Sequence, residues 1–400
     1  MSQHTLISFL GRTPRGENGY RRTRYRFDDG TEADVAFFGW ALCERQPPDR
    51  MVILGTEGSM WDHLFEGDFC LGNVAEDARL QLGEAVEAGQ VTQRQLDELA
   101  PLLAERLGCE VVLRIIPYCR TPREQVRLLT IMAEQVPEAA RLSLDVTHGY
   151  RHLPMLALLS ALHLRQVRQA RIEAIWYGAF DPDTGEAPVH DLAGLLHIAD
   201  GIEALAAYER SGDYGVFGGF FAPPLEEALA EASFFENLNQ LGSARGKARQ
   251  ARDRLAADET ADDDPVAELL QPELLRRLEW VEEERFHLRQ AELARRHLRQ
   301  GNYLAAVLLA YEAFISRLVQ EAGGQPANAQ DRQRARDAFD ERERQHQPRR
   351  EIYRAWDTLR RLRNTLVHGN QAKGPEVQRA LGSRAAMQAL LDDLFARLLG

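Results

Sequence analysis

The chain has few of the residues that mark secreted or zinc-binding proteins. Only four of its 400 residues are cysteine, and no two of them form a C-x-x-C pair. This usage argues against disulfide frameworks and zinc ribbons and predicts reduced thiols in a cytoplasmic protein. The first ten residues also lack the basic start and long apolar stretch of a secretory signal.

Long hydrophobic runs and the common nucleotide motifs are missing as well. No run of 18 apolar residues occurs, so no membrane span is expected. Neither G-x-G-x-x-G nor G-x-x-x-x-G-K-[ST] is present, which argues against a dinucleotide cofactor and against ATP bound in the usual manner. The absence of G-x-S-x-G argues against a serine hydrolase. The net charge of −12 argues against a protein that coats nucleic acid along its whole surface but permits a local phosphate site.

The first 200 residues alternate strand and helix patterns, with helices predicted at Arg123–Gln135 and Pro154–Val167. Apolar runs of strand length occur at Thr5–Leu10, Met51–Leu54, Val111–Ile116, Leu142–Val146 and Ile172–Tyr177. Buried strands separated by helices predict a parallel sheet with crossover helices. The segments Tyr20–Phe27 and Thr31–Phe38, joined by Asp-Asp-Gly, predict a β-hairpin inserted after the first strand.

The second half of the chain reads as helical. Ala256–Pro265 is acidic and poor in apolar residues, which predicts an exposed loop. The predicted helices are Ile202–Tyr208, Leu225–Gln240, Leu274–Leu298, Tyr303–Glu321, Ile352–His368 and Ala385–Leu399. The core stripe predicted for Tyr303–Glu321 consists of Leu304, Val307, Leu308, Tyr311, Ile315 and Leu318.

Three predicted turns at strand ends carry small and polar residues. They are Gly11-Arg12-Thr13, Thr56-Glu57-Gly58-Ser59 and Thr147-His148-Gly149-Tyr150-Arg151. Ligands of open α/β sheets bind beyond the carboxyl ends of the strands, where backbone N–H groups at helix N-termini attract anions. Trp61, His148, Tyr150 and Arg151 are candidates for base stacking and charge. Each turn alone also fits an ordinary tight connection, and the three together favour a nucleotide-like ligand.

The end of the helix Ile352–His368 carries a second candidate site. An arginine binds phosphate with two parallel hydrogen bonds, and a histidine transfers protons near neutral pH. Arg363 projects onto the apolar face of this helix, where a charge is unusual unless it is paired or lines a site. His368 precedes Gly369, a typical helix C-cap. A structural arginine and a capping histidine are the alternative interpretation. No cluster of His, Asp and Glu with metal-ligand spacing accompanies the pair.

Taken together, these segments resemble the CARF–HEPN ribonucleases of type III CRISPR systems. The resemblance covers nearly the whole chain. Its sensor motifs are Leu6–Gly11, Ile53–Ser59 and Leu144–Arg151, and its nuclease motifs are Gly301–Phe314 and Arg361–Gly369. It implies an α/β plus all-α protein: a Rossmann-like, parallel-sheet CARF domain (residues 1–200) and a helical HEPN domain (291–400). The region between them (201–290) matches nothing in the family, and its own pattern predicts a helical connector with an acidic loop.

The resemblance also implies a function. We expect a metal-independent endoribonuclease for single-stranded RNA, activated by cyclic oligoadenylate, with cyclic tetra-adenylate favoured. Arg363, Asn364 and His368 would be catalytic, and the products would carry a 2′,3′-cyclic phosphate and a 5′-OH. Glu312 either braces Arg363 or is an ordinary solvated helix charge. The residues of the three turns would bind the activator.

The implied assembly is a homodimer or a higher even oligomer. On an ideal helix Arg363 and His368 lie about 140° apart, so two copies facing each other complete a groove more readily than one. Asn364 and His368 share a face at i, i+4. Two other functions stay open: a ring nuclease that destroys its own activator, with His148 as the candidate residue, and a non-catalytic sensor that binds a partner.

Overall fold

The computed structural model describes residues 2–16, 19–67, 74–149, 152–257, 264–346 and 350–400. The chain divides into two compact units, Met1–His197 and Ile198–Gly400. The first unit is an α/β sheet structure and the second is helical. The predicted boundary at residue 200 lies three residues from this division.

The first unit is built on an eight-stranded sheet with the order β5-β4-β10-β9-β8-β1-β6-β7. The strands of the unit are β1 (His4–Leu10), β2 (Arg15–Gly16), β3 (Gly19–Tyr20), β4 (Thr23–Arg26), β5 (Glu32–Val35), β6 (Arg50–Gly55), β7 (Glu110–Ile115), β8 (Arg141–Asp145), β9 (Arg171–Gly178) and β10 (Glu186–Asp191). Five strands, β1 and β6 to β9, pair in parallel, as the sequence predicts. These strands are largely buried runs of Val, Ile and Leu because helices cover both faces.

The sheet is mixed rather than wholly parallel, which corrects the sequence prediction. β10 runs antiparallel to β9 and pairs with β4, so the predicted hairpin β4–β5 becomes the edge of the main sheet. The sequence gives little sign of β10, because only Ala187 and Val189 are apolar and fully buried in it. The helices of this unit are α1 (Phe38–Arg45), α2 (His63–Glu66), α3 (Glu76–Ala88), α4 (Gln93–Leu107), α5 (Pro122–Gln135) and α6 (Leu153–Arg168).

The second unit is helical throughout its described residues. It contains α7 (Gly194–Ser211, which begins before the division), α8 (Pro223–Asn237), α9 (Leu241–Ala256), α10 (Pro265–Arg277), α11 (Phe286–Arg299), α12 (Tyr303–Glu321), α13 (Ala329–Arg344), α14 (Glu351–His368), α15 (Pro375–Leu381) and α16 (Arg384–Leu398). One buried apolar cluster runs from Ala204 to Leu399. Residues 201–290 and 291–400 therefore share a core, and the structure does not separate the predicted connector from the predicted nuclease domain.

Two helix predictions need correction. The predicted helix Leu274–Leu298 is interrupted: a 3₁₀ turn, Glu279–Glu282, separates α10 from α11. The carbonyls of Glu283 and Glu284, released from helical bonding, accept hydrogen bonds from the buried Arg289 guanidinium at 2.5 and 2.8 Å. Leu304 is 47% exposed and does not belong to the core stripe of α12. The middle of the predicted acidic loop, 258–263, lies outside the described residues.

The helix α12 meets a test for membrane spans by length and composition. Among the residues that the structure describes, it is the one helix long and apolar enough to cross a membrane. Of the 18-residue stretch that meets this criterion, 56% is buried inside the protein. A core helix passes the same test, so this is weak evidence for a membrane span.

A buried ion pair joins the helices α8 and α11 of the second unit. The Arg296 guanidinium pairs with Glu236, and both side chains are at least 90% buried. Arg296 also donates to the Tyr214 hydroxyl at 2.9 Å, which in turn accepts from the Trp280 indole at 3.1 Å. Burial and the neighbouring arginine lower the pKa of His297 to about 4, so this histidine is neutral beside the pair.

Replacing Glu236 with alanine should destabilise the helical unit strongly. The substitution leaves the Arg296 charge buried without its partner, and breaking such pairs typically costs about 3–5 kcal/mol. Urea or thermal unfolding of Glu236→Ala measures the loss. Glu227→Ala is the control, since Glu227 is an exposed carboxylate on the same helix. Equal stability of the two variants would contradict the argument.

Candidate functional site

The three predicted turns meet at one edge of the sheet. They follow β1, β6 and β8, which are neighbours in the sheet and run parallel, so their carboxyl ends coincide. Together they line a cavity of about 280 Å³. Its walls are formed by Leu10, Gly11, Arg12, Thr13, Thr56, Gly58, Ser59, Ile116, Thr147, His148, Gly149 and Leu153. Glu57 does not line the cavity, and Tyr150 and Arg151 lie outside the described residues.

The turn after β6 is held by its own hydrogen bonds. The Ser59 hydroxyl accepts from the Thr56 backbone N–H at 2.9 Å and donates to the Leu10 carbonyl at 2.6 Å. The Trp61 indole donates to the Thr56 carbonyl at 2.8 Å and is completely buried. Base stacking on Trp61, which the sequence suggested, is therefore excluded. The cavity wall at this turn is formed in advance of any ligand.

Two glycines allow the outer turns to approach each other. A Cβ atom on Gly11 would lie 2.7 Å from the Gly149 backbone nitrogen. Gly149 has a φ of +109°, a backbone conformation that other residues rarely adopt. The turns after β1 and β8 can therefore close the cavity floor only with glycine at these positions.

A buried carboxylate lies under the turn after β8. Asp145 accepts from the Ser8 hydroxyl at 2.5 Å and from the Thr147 backbone N–H at 2.9 Å. It has no accessible surface, and desolvation raises its pKa to about 6 in spite of these hydrogen bonds. Because Asp145 orients Thr147, which lines the cavity, it supports the cavity wall from beneath.

His148 accepts a hydrogen bond through one of its ring nitrogens. Its Nε2 atom accepts from the Phe38 backbone N–H at 3.1 Å and lies 3.4 Å from the Tyr25 hydroxyl. Because Nε2 is an acceptor, the proton of the neutral ring is on Nδ1. Burial, His63 and Arg21 lower the pKa of His148 to about 4. Near neutral pH this imidazole offers a hydrogen-bond donor rather than a transferable proton.

Asp145→Asn should remove a pH dependence of stability. The folded-state pKa of Asp145 lies above the ordinary value of 3.8, so its contribution to stability is complete below about pH 4 and is lost as the pH rises through 6. The difference corresponds to about 3 kcal/mol. Urea unfolding from pH 4 to pH 8 should show the variant gaining stability relative to the wild type between about pH 4 and pH 6, with a constant difference at higher pH. Parallel pH profiles for the two proteins would contradict this.

The second candidate site lies at the end of α14. Arg363 is half-buried, and its guanidinium carbon lies 5.3 Å from the centroid of the Tyr311 ring. It donates to the Asn364 side-chain carbonyl at 3.1 Å, and its Nε atom is buried without a partner. Among the described residues no carboxylate pairs with it. Within the described part of one chain, its charge is therefore not neutralised.

His368 and Asn364 are exposed at the same helix end. Gly369 follows His368 with a φ of +60°, which confirms the predicted C-cap. Asn364 and His368 lie on one face but share no hydrogen bond in the described structure. Glu312 forms an ion pair with Arg332 of α13 rather than with Arg363, so the predicted brace is not found in the single chain. No group of three or more metal-ligating side chains occurs among the described residues.

The helical unit also contains a larger cavity that the sequence did not predict. It measures about 540 Å³ and is lined in part by Tyr208, Arg277, Trp280 and Arg296. These residues belong to separate helices and a 3₁₀ turn that only the tertiary fold brings together. No motif in the sequence connects them. The buried network around Arg296 therefore forms one wall of an accessible space.

Comparisons with known proteins support the first unit's family. Residues 5–182 match the family described as the CARF domain of the CRISPR system endoribonuclease Csx1. A CRISPR-associated protein of Methanocaldococcus jannaschii, MJ1674, is 24% identical over 233 residues, which cover 52% of this chain and 36% of the relative. The alignment thus spans only about a third of that relative. The matched segment carries the cavity and the strands of the sheet other than β10, and together these findings support a CRISPR-associated protein whose N-terminal unit is a CARF domain.

Proposed function

We propose that the protein is a metal-independent endoribonuclease for single-stranded RNA, switched on by cyclic oligoadenylate in type III CRISPR defence. The observation that carries the proposal is the state of Arg363: a half-buried guanidinium with no carboxylate partner among the described residues, five positions before an exposed histidine. A partly buried cation without a paired anion is costly, and a phosphate can supply the missing negative charge.

The chemistry uses the nucleophile of the substrate. The 2′-OH attacks the adjacent phosphorus while the bond to the 5′-oxygen breaks, which leaves a 2′,3′-cyclic phosphate and a 5′-OH. Arg363 and Asn364 hold the scissile phosphate and the negative charge that develops on it. His368 assists proton transfer between the 2′-OH and the leaving oxygen. No step requires a metal ion.

A homodimer completes this site. Because Arg363 and His368 point about 140° apart on one helix, two chains are expected to bring an arginine and a histidine to one phosphate. Apolar side chains support self-association of the sensor unit: Val126 of α5 and Met155 and Leu159 of α6 are 65%, 67% and 54% exposed. The helical unit exposes Leu304 and Val367, beside His368.

The sensor cavity is the proposed activator site. The helix α6 begins after the turn that follows β8, and its N-cap residue, His152, makes no side-chain capping hydrogen bond. This end favours a phosphate. Arg12 adds a cation to the cavity wall. The cavity in one chain takes part of the ring, and two chains are expected to take the whole, with cyclic tetra-adenylate favoured.

His148 does not favour cleavage of the activator within this cavity. A ring nuclease that used His148 as general acid would need a ring that gains and loses a proton near pH 7. The Phe38 N–H bond and the low pKa oppose this role. An RNA cleavage assay distinguishes the nuclease from a non-catalytic sensor.

His368→Ala should abolish RNA cleavage while the fold and activator binding stay intact. The imidazole is exposed at the end of a helix, so its loss should cost only about 1 kcal/mol of stability. The assay follows labelled single-stranded RNA with EDTA, with and without cyclic tetra- or hexa-adenylate. Unlabelled activator is recovered in parallel to detect its cleavage.

A matched control is His346→Ala, which removes a partly exposed histidine beyond the end of α13. It should cleave RNA as the wild type does. Full activity of His368→Ala would contradict the proposed mechanism. Loss of wild-type activity in EDTA with recovery in Mg²⁺ would contradict a metal-independent reaction. Absence of cleavage in the wild type with either ring would favour the non-catalytic sensor.

Arg12→Ala should weaken activator binding about ten- to a hundred-fold. Arg12 lines the cavity and is 40% exposed, and its contacts to Val86 and Glu87 are long, at 3.4 Å. A charge-assisted hydrogen bond to a phosphate is typically worth about 1.5–3 kcal/mol. Calorimetric titration with each ring measures the change. Arg94→Ala removes an exposed charge on α4, away from the cavity wall, and should bind as the wild type; equal effects of the two substitutions would exclude a specific contact.

A further inference from the structure

Aromatic side chains beneath Arg363 form a stack that reaches into the helical core. The rings of Tyr311 on α12 and Trp356 on α14 have centroids 5.0 Å apart and planes 19° apart. Phe314 lies 4.9 Å from Trp356 at 27°. Trp356 and Phe314 are completely buried, and the Trp356 indole donates to Asp340 at 3.1 Å. The plane of the outermost ring, Tyr311, is therefore fixed from below.

Arg363 lies over that outermost ring. Its guanidinium carbon is 5.3 Å from the ring centroid, within the range of a cation–π interaction. The negative face of an aromatic ring attracts a cation without carrying a net charge. A carboxylate in the same place would neutralise the guanidinium and occupy the N–H edge that a phosphate uses. The ring thus holds Arg363 and leaves its charge unbalanced.

Neighbouring arginines of the helical unit are held differently. Arg332 pairs with Glu312, the residue next to Tyr311. Arg360 pairs with Asp340 and Asp357 at 3.3 and 2.6 Å, and Arg361 also pairs with Asp357. Each of these cations is neutralised by the chain itself. Arg363 instead has an aromatic ring as its partner, which indicates that Tyr311 holds the guanidinium without neutralising it, in addition to packing in the core.

We propose that Tyr311 is a positioning residue for RNA cleavage, which presents the Arg363 guanidinium to the scissile phosphate through the face of its ring. The inference rests on the proposed nuclease function and adds a residue to it. The ring carries the effect, and the phenolic hydroxyl is not needed. The contact with the Tyr311 ring also explains how Arg363 is positioned although Glu312 is paired with Arg332.

The test compares Tyr311→Leu with Tyr311→Phe in the activated full-length protein. Leucine removes the aromatic face, so kcat/KM for single-stranded RNA should fall about 5- to 30-fold, with a rise in KM as well as a fall in kcat because Arg363 holds the phosphate in the bound substrate too. Phenylalanine retains the aromatic face, so kcat/KM of Tyr311→Phe should stay near the wild-type value. Wild-type kinetics of Tyr311→Leu, or an equal loss in Tyr311→Phe, would overturn the proposal.

Phe314→Leu separates positioning from stability. It removes a ring from the same stack without touching Arg363, so it should lower the melting temperature but leave kcat/KM of the folded protein near that of the wild type. A loss of kcat/KM equal to that of Tyr311→Leu would show that the stack acts through stability alone and would overturn the proposal.

A double-mutant cycle gives a second readout through binding of RNA that carries 2′-O-methyl groups and cannot be cleaved. Tyr311→Leu should weaken this binding in the wild-type background and have no effect in Arg363→Ala, because the residue acts through the arginine. Equal losses in both backgrounds would overturn the inference while leaving the nuclease intact. A wild-type protein that cleaves no RNA with either activator ring would overturn the nuclease and the inference together.

Discussion

The parallel pairing of β8, β1 and β6 is the constraint on which the sensor unit depends. Parallel strands end at the same edge, so three turns that are far apart in the chain come to surround one cavity. The pairing also forces the first and third turns together, with Gly11 against Gly149. Asp145 and Ser8, one on each of two neighbouring strands, are locked by the same register.

The two candidate sites use charge in opposite ways. Around the sensor cavity, buried polar groups are kept neutral or satisfied: His148 is held as an acceptor at Nε2, and Asp145 is bound on both oxygens. At the end of α14, the Arg363 guanidinium has no carboxylate partner among the described residues, and its buried Nε atom makes no hydrogen bond. In a chain of net charge −12, this state of Arg363 differs from that of the nearby Arg332, Arg360 and Arg361, which pair with carboxylates.

The sequence predicts the parts of the structure that depend on local patterns. The five parallel strands, the hairpin and the helix α12 follow from apolar periodicity, and the common edge of the three turns follows from strand direction. The strand β10 cannot be predicted in this way, because it contains only two buried apolar residues and is defined by its pairing with β9 and β4. Neither the burial of Trp61 nor the pairing of Glu312 with Arg332 has a local signal, since both depend on contacts between distant segments. The catalytic and sensing roles of the sites stay predictions.

The bonded turn after β6 has a consequence for the kinetics of recognition. Because Ser59 and Trp61 tie Thr56 to its neighbours, this wall loses little conformational freedom when a ligand arrives. Selection between rings of different size then depends on shape more than on loop ordering. Association at such a wall is expected to approach the rate set by diffusion and orientation, and rings should differ chiefly in how slowly they leave.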